Sequence, residues 1–296
     1  MKRFFILASA AIVALASCAK TEVVYKDAPQ EIAFKQITNV MTKADALTTD
    51  MGVFAYTADG DYYFGPVKFA EVSSVWKGSP AQYYPLQTAL DFALYSPCDG
   101  YNNWSYVNTT QTLTSCDFAD VKNVDVLYGE KIYADCTTSS DPVDVLFKHA
   151  VAKVTVKVAS NVPDKITVNS VTLKTLHTAG KVTVDYENDV WKKTTWSDKN
   201  AVDHTWYKGS FVLSTTAAEF GAPIFFVPGD SDTAVDQTSF EVSYTMNGVD
   251  MKAQVELPDY WEMGKHYIYT LNANLNEITF APEVETLEPV EKPYSL

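Results

Sequence analysis

Apolar and polar residues alternate with a period of two along most of this chain, most clearly in FEVSYTMNGVDMKAQVEL, residues 240–257. Phe240, Val242, Tyr244 and Met246 alternate with polar residues as far as Asn247-Gly248, and Val249, Met251, Ala253, Val255 and Leu257 resume the pattern. A two-residue type I′ loop pairs 246 with 249 and 244 with 251, which sets every apolar residue of both strands on one face and overdetermines the register. In AVAKVTVKV, Ala150, Ala152, Val154, Val156 and Val158 share one face while Val151, Lys153, Thr155 and Lys157 share the other. Further strands are expected in KITVNSVTLK, GKVTVDY, SFVLS, PIFFVPG and HYIYTLNANL. No stretch of helical length carries a 3.6-residue period with caps. Many short strands separated by Gly, Pro, Asn and Asp clusters predict an all-β fold of antiparallel sandwiches.

The N-terminus breaks this pattern. Lys2 and Arg3 precede the apolar run Phe4–Ala16, which is too short to span a bilayer as a helix. Leu15-Ala16-Ser17-Cys18 resembles a bacterial lipobox, in which the thiol is acylated and becomes the new N-terminus. Residues 1–17 are therefore expected to be a lipoprotein signal peptide, Cys18 the lipidation site, and 18–43 a tether followed by a short strand. The remaining length suits two domains. The polar break TTSSDPVD, residues 137–144, divides it into an N-terminal sandwich at 44–142 and a C-terminal one at 143–296.

Charge then narrows the function. Loss of Lys2 and Arg3 leaves 21 basic against 37 acidic side chains, net −16, and no arginine at all. Nucleic-acid binding is disfavoured, because it calls for a basic patch and arginine forks. Cys98, Cys116, Cys136 and the four histidines show no C-x-x-C, H-x-H or H-x-x-x-H spacing, so they read as core thiols and ordinary histidines, with neither metal nor cofactor expected. Signatures of hydrolases, metalloproteases, phosphate loops and dinucleotide folds are missing, and the chain is not expected to be an enzyme. The alternating acids of GDSDTAVD, residues 229–236, lack the glycine and closing glutamate of a calcium loop and read as a solvated turn. Trp191, Trp196, Trp206 and Tyr207 crowd into a polar stretch between expected strands. Sugar faces stack on such rings, which makes them a candidate glycan platform, although aromatics at strand ends more often cover a sheet.

Four blocks in order resemble the fimbrillin family of lipoprotein-derived pilins from gut and oral anaerobes. They are EIAFKQITNVMTKA, YYPLQTALDFALYSP with VDVLYG, FKHAVAKVTVKV, and WEMGKHYIYTLNANLNEITFAPEVE. The resemblance implies two tandem transthyretin-like β-sandwich domains and a fimbrial (pilus) subunit or surface adhesin. Such a subunit is exported as an outer-membrane lipoprotein, trimmed by a protease, and assembled with other fimbrial subunits by donor-strand exchange at the cell surface. A host or bacterial surface glycan or protein is then the adhesion partner. The matching cut lies between Lys43 and Ala44, where this chain departs from the arginine cut of some members and needs a lysine-directed or broader protease. The candidate donor strand is the C-terminal tail with Ile278, Phe280 and Val284, interrupted by Pro282 and Pro289. An alternative from another class is a monomeric surface lipoprotein that binds glycans beside a nutrient-uptake system.

The polymerisation logic has a physical basis of its own. Residues 31–37 read as a short strand with Ile32 and Phe34 on one face, and removing it would uncover a groove and an unpaired sheet edge. Burying about four apolar side chains there is worth about 6–12 kcal/mol gross, so an empty groove should recruit a replacement strand.

Overall fold

The computed structural model describes residues 30–36, 50–85, 88–101, 103–130, 132–135, 141–228, 239–257, 261–273 and 278–286, the last strand by its backbone alone. The described chain is almost wholly β, with two single-turn 3₁₀ segments at Asn108–Thr110 and Pro163–Lys165. Five strands open the fold: β1 (Ala33–Gln36), β2 (Asp50–Thr57), β3 (Tyr62–Val72), β4 (Val75–Gly78) and β5 (Leu90–Ser96). The chain then leaves this sheet for β6 (Ser105–Val107) and β7 (Thr112–Thr114), and returns to it with β8 (Leu127–Gly129), β9 (Tyr133–Asp135), β10 (Val143–Val145) and β11 (Phe147–His149). A second sheet begins at β12 (Ala152–Ser160). Next comes a long hairpin of β13 (Ile166–Glu187) and β14 (Val190–Val212), then the short β15 (Ala218–Glu219) and β16 (Ile224–Phe226). The hairpin of β17 (Ser239–Met246) and β18 (Val249–Glu256) precedes the final pair, β19 (Lys265–Ala273) and β20 (Ile278–Thr286).

The first sheet runs β10-β1-β4-β3-β2-β5-β8-β11, with β9 also on β5; the second runs β15-β12-β19-β20, with β16 also on β12. The third runs β18-β17-β13-β7-β6, with β14 along the other side of β13. Three cores result. The first sheet curls over on itself around Ile32, Phe34, Met51, Val53, Phe69, Phe92 and Val145, which form an outer core. Its opposite face, with Phe54, Tyr56, Ala93 and Tyr95, packs on Tyr106, Leu113, Val182, Val184 and Trp196 to make a middle core. The C-terminal core lies between the second sheet and the near half of the third, with Val154, Val156, Val171, Leu173, Phe240 and Tyr269. Strand β2 is buried on both faces because it serves two of these cores at once.

The expected hairpin is present in its expected register, Met246 opposite Val249 and Tyr244 opposite Met251, with Asn247 at φ 49° and Gly248 at φ 81°. Its apolar face is only half covered: Val249 is 61% exposed, since β18 is the outermost strand and reaches past the layer that buries β17. Strand β12 departs from the two-faced reading, because Val151, Lys153 and Thr155 are buried along with the alternating set. The second sheet holds β12 between β19 and the short β15 and β16.

Two larger differences concern organisation. The segments KITVNSVTLK and GKVTVDY are not separate strands but parts of one strand, β13, and the stretch expected between strands is strand β14 itself. Register shifts near Leu173–Leu176 and Ala179–Lys181, with Thr175 at φ 54° and Gly180 at φ 150°, bend the hairpin without ending it. Pairing also crosses the break expected at 137–144 in both directions. Strands β10 and β11 complete the first sheet, while β6 and β7 join the third, so the sheets do not divide as 44–142 and 143–296. A polar tract marks solvent exposure, and exposure is compatible with a chain that stays in the same sheet.

Candidate functional site

The seat of the N-terminal strand is the most defined feature that a functional role could use. Strand β1 lies inside the first sheet, parallel to β10 (Phe34 opposite Val143, Gln36 opposite Val145) and antiparallel to β4 (Ala33 opposite Lys77, Phe34 opposite Trp76). Just upstream the chain exchanges partners: Ile32 N–H donates to the Gln82 carbonyl at 2.8 Å, and Tyr84 N–H donates to the Gln30 carbonyl at 2.9 Å. The segment 30–36 is thereby hydrogen-bonded along its length. Alternation does the rest. Ile32 and Phe34 are fully buried, Lys35 is exposed, and Glu31 pairs with Lys77 at 2.7 Å on the outer side.

Phe34 is the centre of the seat. Its ring meets Phe69 edge-on at 5.1 Å and Phe92 edge-on at 5.1 Å, geometry in which the positive ring edge faces the negative ring face. Contact with Phe92 of β5, a strand four places away in the sheet order, shows how far the sheet has curled over β1. Two fully buried side chains, rather than the four expected from the sequence, occupy the slot among the described residues, worth about 3–6 kcal/mol gross, plus about 0.5–1.5 kcal/mol for each ladder hydrogen bond. The residues that line the slot, Phe69, Trp76, Phe92, Val143 and Val145, were not picked out by sequence, since each reads as ordinary strand alternation.

The C-terminal strand is also seated. Strand β20 pairs antiparallel with β19 over nine residues, with Ile278 opposite Ala273, Phe280 opposite Leu271 and Val284 opposite Tyr267. Pro282 does not interrupt it and stands opposite Tyr269. Strand β20 is an edge, where a residue without an N–H can face away from the ladder at no cost in pairing. Pro289 lies outside the described residues.

The tryptophans do not form a common platform. Trp196 is 7% exposed in the middle core, its indole N–H donating to the Ala150 carbonyl at 2.6 Å. Trp206 packs against the C-terminal core, 5.9 Å from Phe240, and donates to the Ala222 carbonyl at 3.1 Å. Trp191 alone is well exposed, with Lys148 Nζ 4.9 Å over its ring and its N–H on Thr194 Oγ1 at 2.8 Å. Tyr207 lies in β14 opposite Val171. Trp191 lies at the surface while Trp196 and Trp206 serve two different cores along the length of β14, so the three tryptophans share no common face.

Cys98 and Cys116 form no disulfide among the described residues, and burial pushes both above the ordinary thiol range. Among the described residues no group of three or more His, Cys, Asp or Glu side chains is arranged to hold a metal ion. Cys18, Lys43, Ala44, Cys136 and the acidic stretch 229–236 lie outside the described residues.

A fimbrillin-like family model matches residues 38–286. No curated protein sequence matches the chain. Among solved structures, a fimbrial protein from Bacteroides vulgatus superposes with a TM-score of 0.60 at 16% identity, covering 87% of this chain and 99% of its own. A candidate cell adhesion protein from Bacteroides uniformis gives 0.59 at 14% identity over 87% and 99% of the two chains. A further candidate cell adhesion protein, from Bacteroides ovatus, gives 0.53 at 16% identity over 90% and 99%. At these identities the likeness is one of fold.

Proposed function

Since this chain belongs to the fimbrillin-like family, we propose that it is a fimbrial subunit or fimbrillin-like adhesin of the cell surface, with a structural rather than a catalytic role. It is exported as a lipoprotein acylated at Cys18 and held at the outer membrane by that lipid. Cleavage between Lys43 and Ala44 turns it into an assembly unit that partners other fimbrial subunits.

The observation that carries this reading is the seat of β1. Position 43 falls in the chain between β1 and β2, so a cut there leaves β1 held by non-covalent contacts alone. Departure of β1 would leave the facing edges of β4 and β10 unpaired and an apolar slot under Phe69, Trp76 and Phe92 open to water. An unpaired edge beside an apolar slot is a template for strand addition. The strand offered by a second copy is the segment with Ile278, Phe280 and Val284, which already adopts strand geometry through Pro282 and ends in the tail 287–296. The monomeric glycan-binding reading is weaker, because two of its three tryptophans are committed to cores.

Intact mass of the protein released from the cell surface, read beside an unboiled denaturing gel, tests the proposal. A chain beginning at Ala44 together with a ladder of species is the expected result. Lys43→Gln should abolish both. A single band that starts at acylated Cys18 in fimbriated cells would overturn the assembly step and leave a tethered monomer.

A further inference from the structure

The four residues that lead into the first strand of the fold recur at the start of the last. Glu31-Ile32-Ala33-Phe34 leads into β1 and Glu277-Ile278-Thr279-Phe280 into β20, and Glu-Ile-x-Phe occurs nowhere else in the chain. In the first copy each position has a defined place. Ile32 and Phe34 are fully buried, Phe34 against Phe69 and Phe92, and Glu31 meets Lys77 Nζ at 2.7 Å on the outer side. Ala33, between the two anchors, stands opposite Lys77 in β4. A strand of the same pattern laid in the same register would fill the same two apolar positions and meet the same lysine.

The two copies differ in their neighbours. Strand β1 is internal, between β4 and β10, whereas β20 is the outermost strand of the second sheet and pairs with β19. Transfer of the start of β20 to an empty β1 seat therefore exchanges one ladder for two, and Ile278 and Phe280 take positions that exclude water completely. The continuation fits as well. With Glu277 in the place of Glu31, Ala281 takes that of exposed Lys35, opposite Asp144, and Pro282 takes that of Gln36, beyond the last residue paired with β4. The missing N–H of Pro282 thus leaves the β4 ladder whole. The neighbouring registers that keep the same face do not fit, because a shift of two residues puts Asn276 or Pro282 in a buried position and Leu275 or Thr279 against Lys77.

Resting on the assembly reading above, we propose that the β1 seat selects a Glu-Ile-x-Phe strand. Residues 277–280 of a second copy of this chain occupy it in the register of residues 31–34, with Lys77 of the acceptor pairing Glu277 of the donor. Strand β1 is then the resident competitor for its own subunit's seat, and holds it until cleavage after Lys43 lets it go. The two buried anchors supply the driving force. The ion pair marks register, since a bridge whose side chains are 39% and 33% exposed contributes little energy. The reach is short: from Ala273 to Ile278 the chain spans at most about 18 Å, so in consecutive subunits the end of the donor's β19 lies within that distance of the acceptor's Ile32 position.

Cysteine pairing in surface-assembled protein, expressed as the full chain, reads the register. Lys35 stands opposite Asp144 on the exposed side of the sheet, so Asp144→Cys with Ala281→Cys should give a ladder that survives boiling and collapses on adding dithiothreitol. Asp144→Cys with Glu283→Cys, two residues along, should give none, nor should either cysteine alone. Phe280→Ala should reduce the unboiled ladder by about tenfold or more, and Thr279→Ala, which makes the two motifs identical, should leave it intact. Lys77→Glu should slow ladder growth severalfold, and Glu277→Lys added to it should restore the rate, a rescue that a folding defect would not show. A parent ladder that links at 283 and not at 281, or a Phe280→Ala ladder equal to the parent's, overturns this register while leaving the assembly reading in place. No ladder from the parent in fimbriated cells overturns the assembly reading, and the proposal with it.

Discussion

Phe34→Ala isolates the contribution of the β1 seat. The side chain is fully buried and packed edge-on against Phe69 and Phe92, both of which are themselves fully buried. Truncation removes the ring from a site whose walls are strands of one curled sheet, so the slot cannot collapse without breaking ladder pairs on β4 and β10. Large-to-small changes of this kind cost about 3–5 kcal/mol, the lost transfer energy plus the cavity left behind. Against a total stability of about 5–15 kcal/mol, the variant should remain folded at 25 °C but lose a large share of its margin. At about 2–4 °C per kcal/mol for a chain of this size class, Tm should fall by about 6–20 °C. Urea unfolding followed by far-UV circular dichroism, with the slope compared between variants to verify that the same surface is exposed, measures the difference. Lys35→Ala, one residue along on the exposed side of the same strand, is the control, and should lie within about 0.5 kcal/mol of the parent. If Phe34→Ala costs less than about 1 kcal/mol, or if Lys35→Ala costs as much, β1 is not held by its inward face, and the groove it would leave on excision has no driving force to recruit a donor.

Two glycines and one carboxylate supply further checks. Gly248→Val should destabilise by about 1–2 kcal/mol through backbone strain alone, because a Cβ there meets nothing within 4 Å but φ is 81°; equal Tm values would refute the assigned turn. Gly52→Ala should cost about 1–3 kcal/mol or more in chemical denaturation, since the new Cβ would collide with the Tyr95 ring, which is stacked on Trp104; a neutral result would show that the ring has room to move. Asp91→Asn tests the Asp91 carboxyl of β5, which burial first and the nearby Asp189 next hold above its ordinary value. Because the folded-state value lies above the ordinary 3.8, the stability tied to the neutral form is fully present below that pH and is lost as pH rises through the folded value. The variant should therefore match or exceed the parent in Tm at pH 7, with the gap closing as pH falls towards 4. A variant less stable than the parent at every pH would contradict the raised carboxyl.

Much of the local structure was determined by the sequence itself. Strict alternation around Asn247-Gly248 left one register that buries the apolar set, and the structure has it. The all-β class followed from the same period, because alternation of two places successive side chains on opposite faces and no helix can satisfy it. The inward placement of Ile32 and Phe34 was legible for that reason, from seven residues alone. Membership of sheets was not. Strands β6, β7, β10 and β11 are three residues each, too short for their pattern to name a partner, and they pair across the polar break because long-range packing decides which edge each one completes. Nor could alternation say that β13 and β14 run unbroken past Thr175 and Gly180 and serve two cores, since a positive-φ residue marks a turn or a bulge equally well. The same ambiguity scattered Trp191, Trp196 and Trp206, near neighbours in sequence, over a surface and two interiors. A period-two pattern fixes which way a side chain points; what it points at is set by the other strands, and only tertiary structure supplies those.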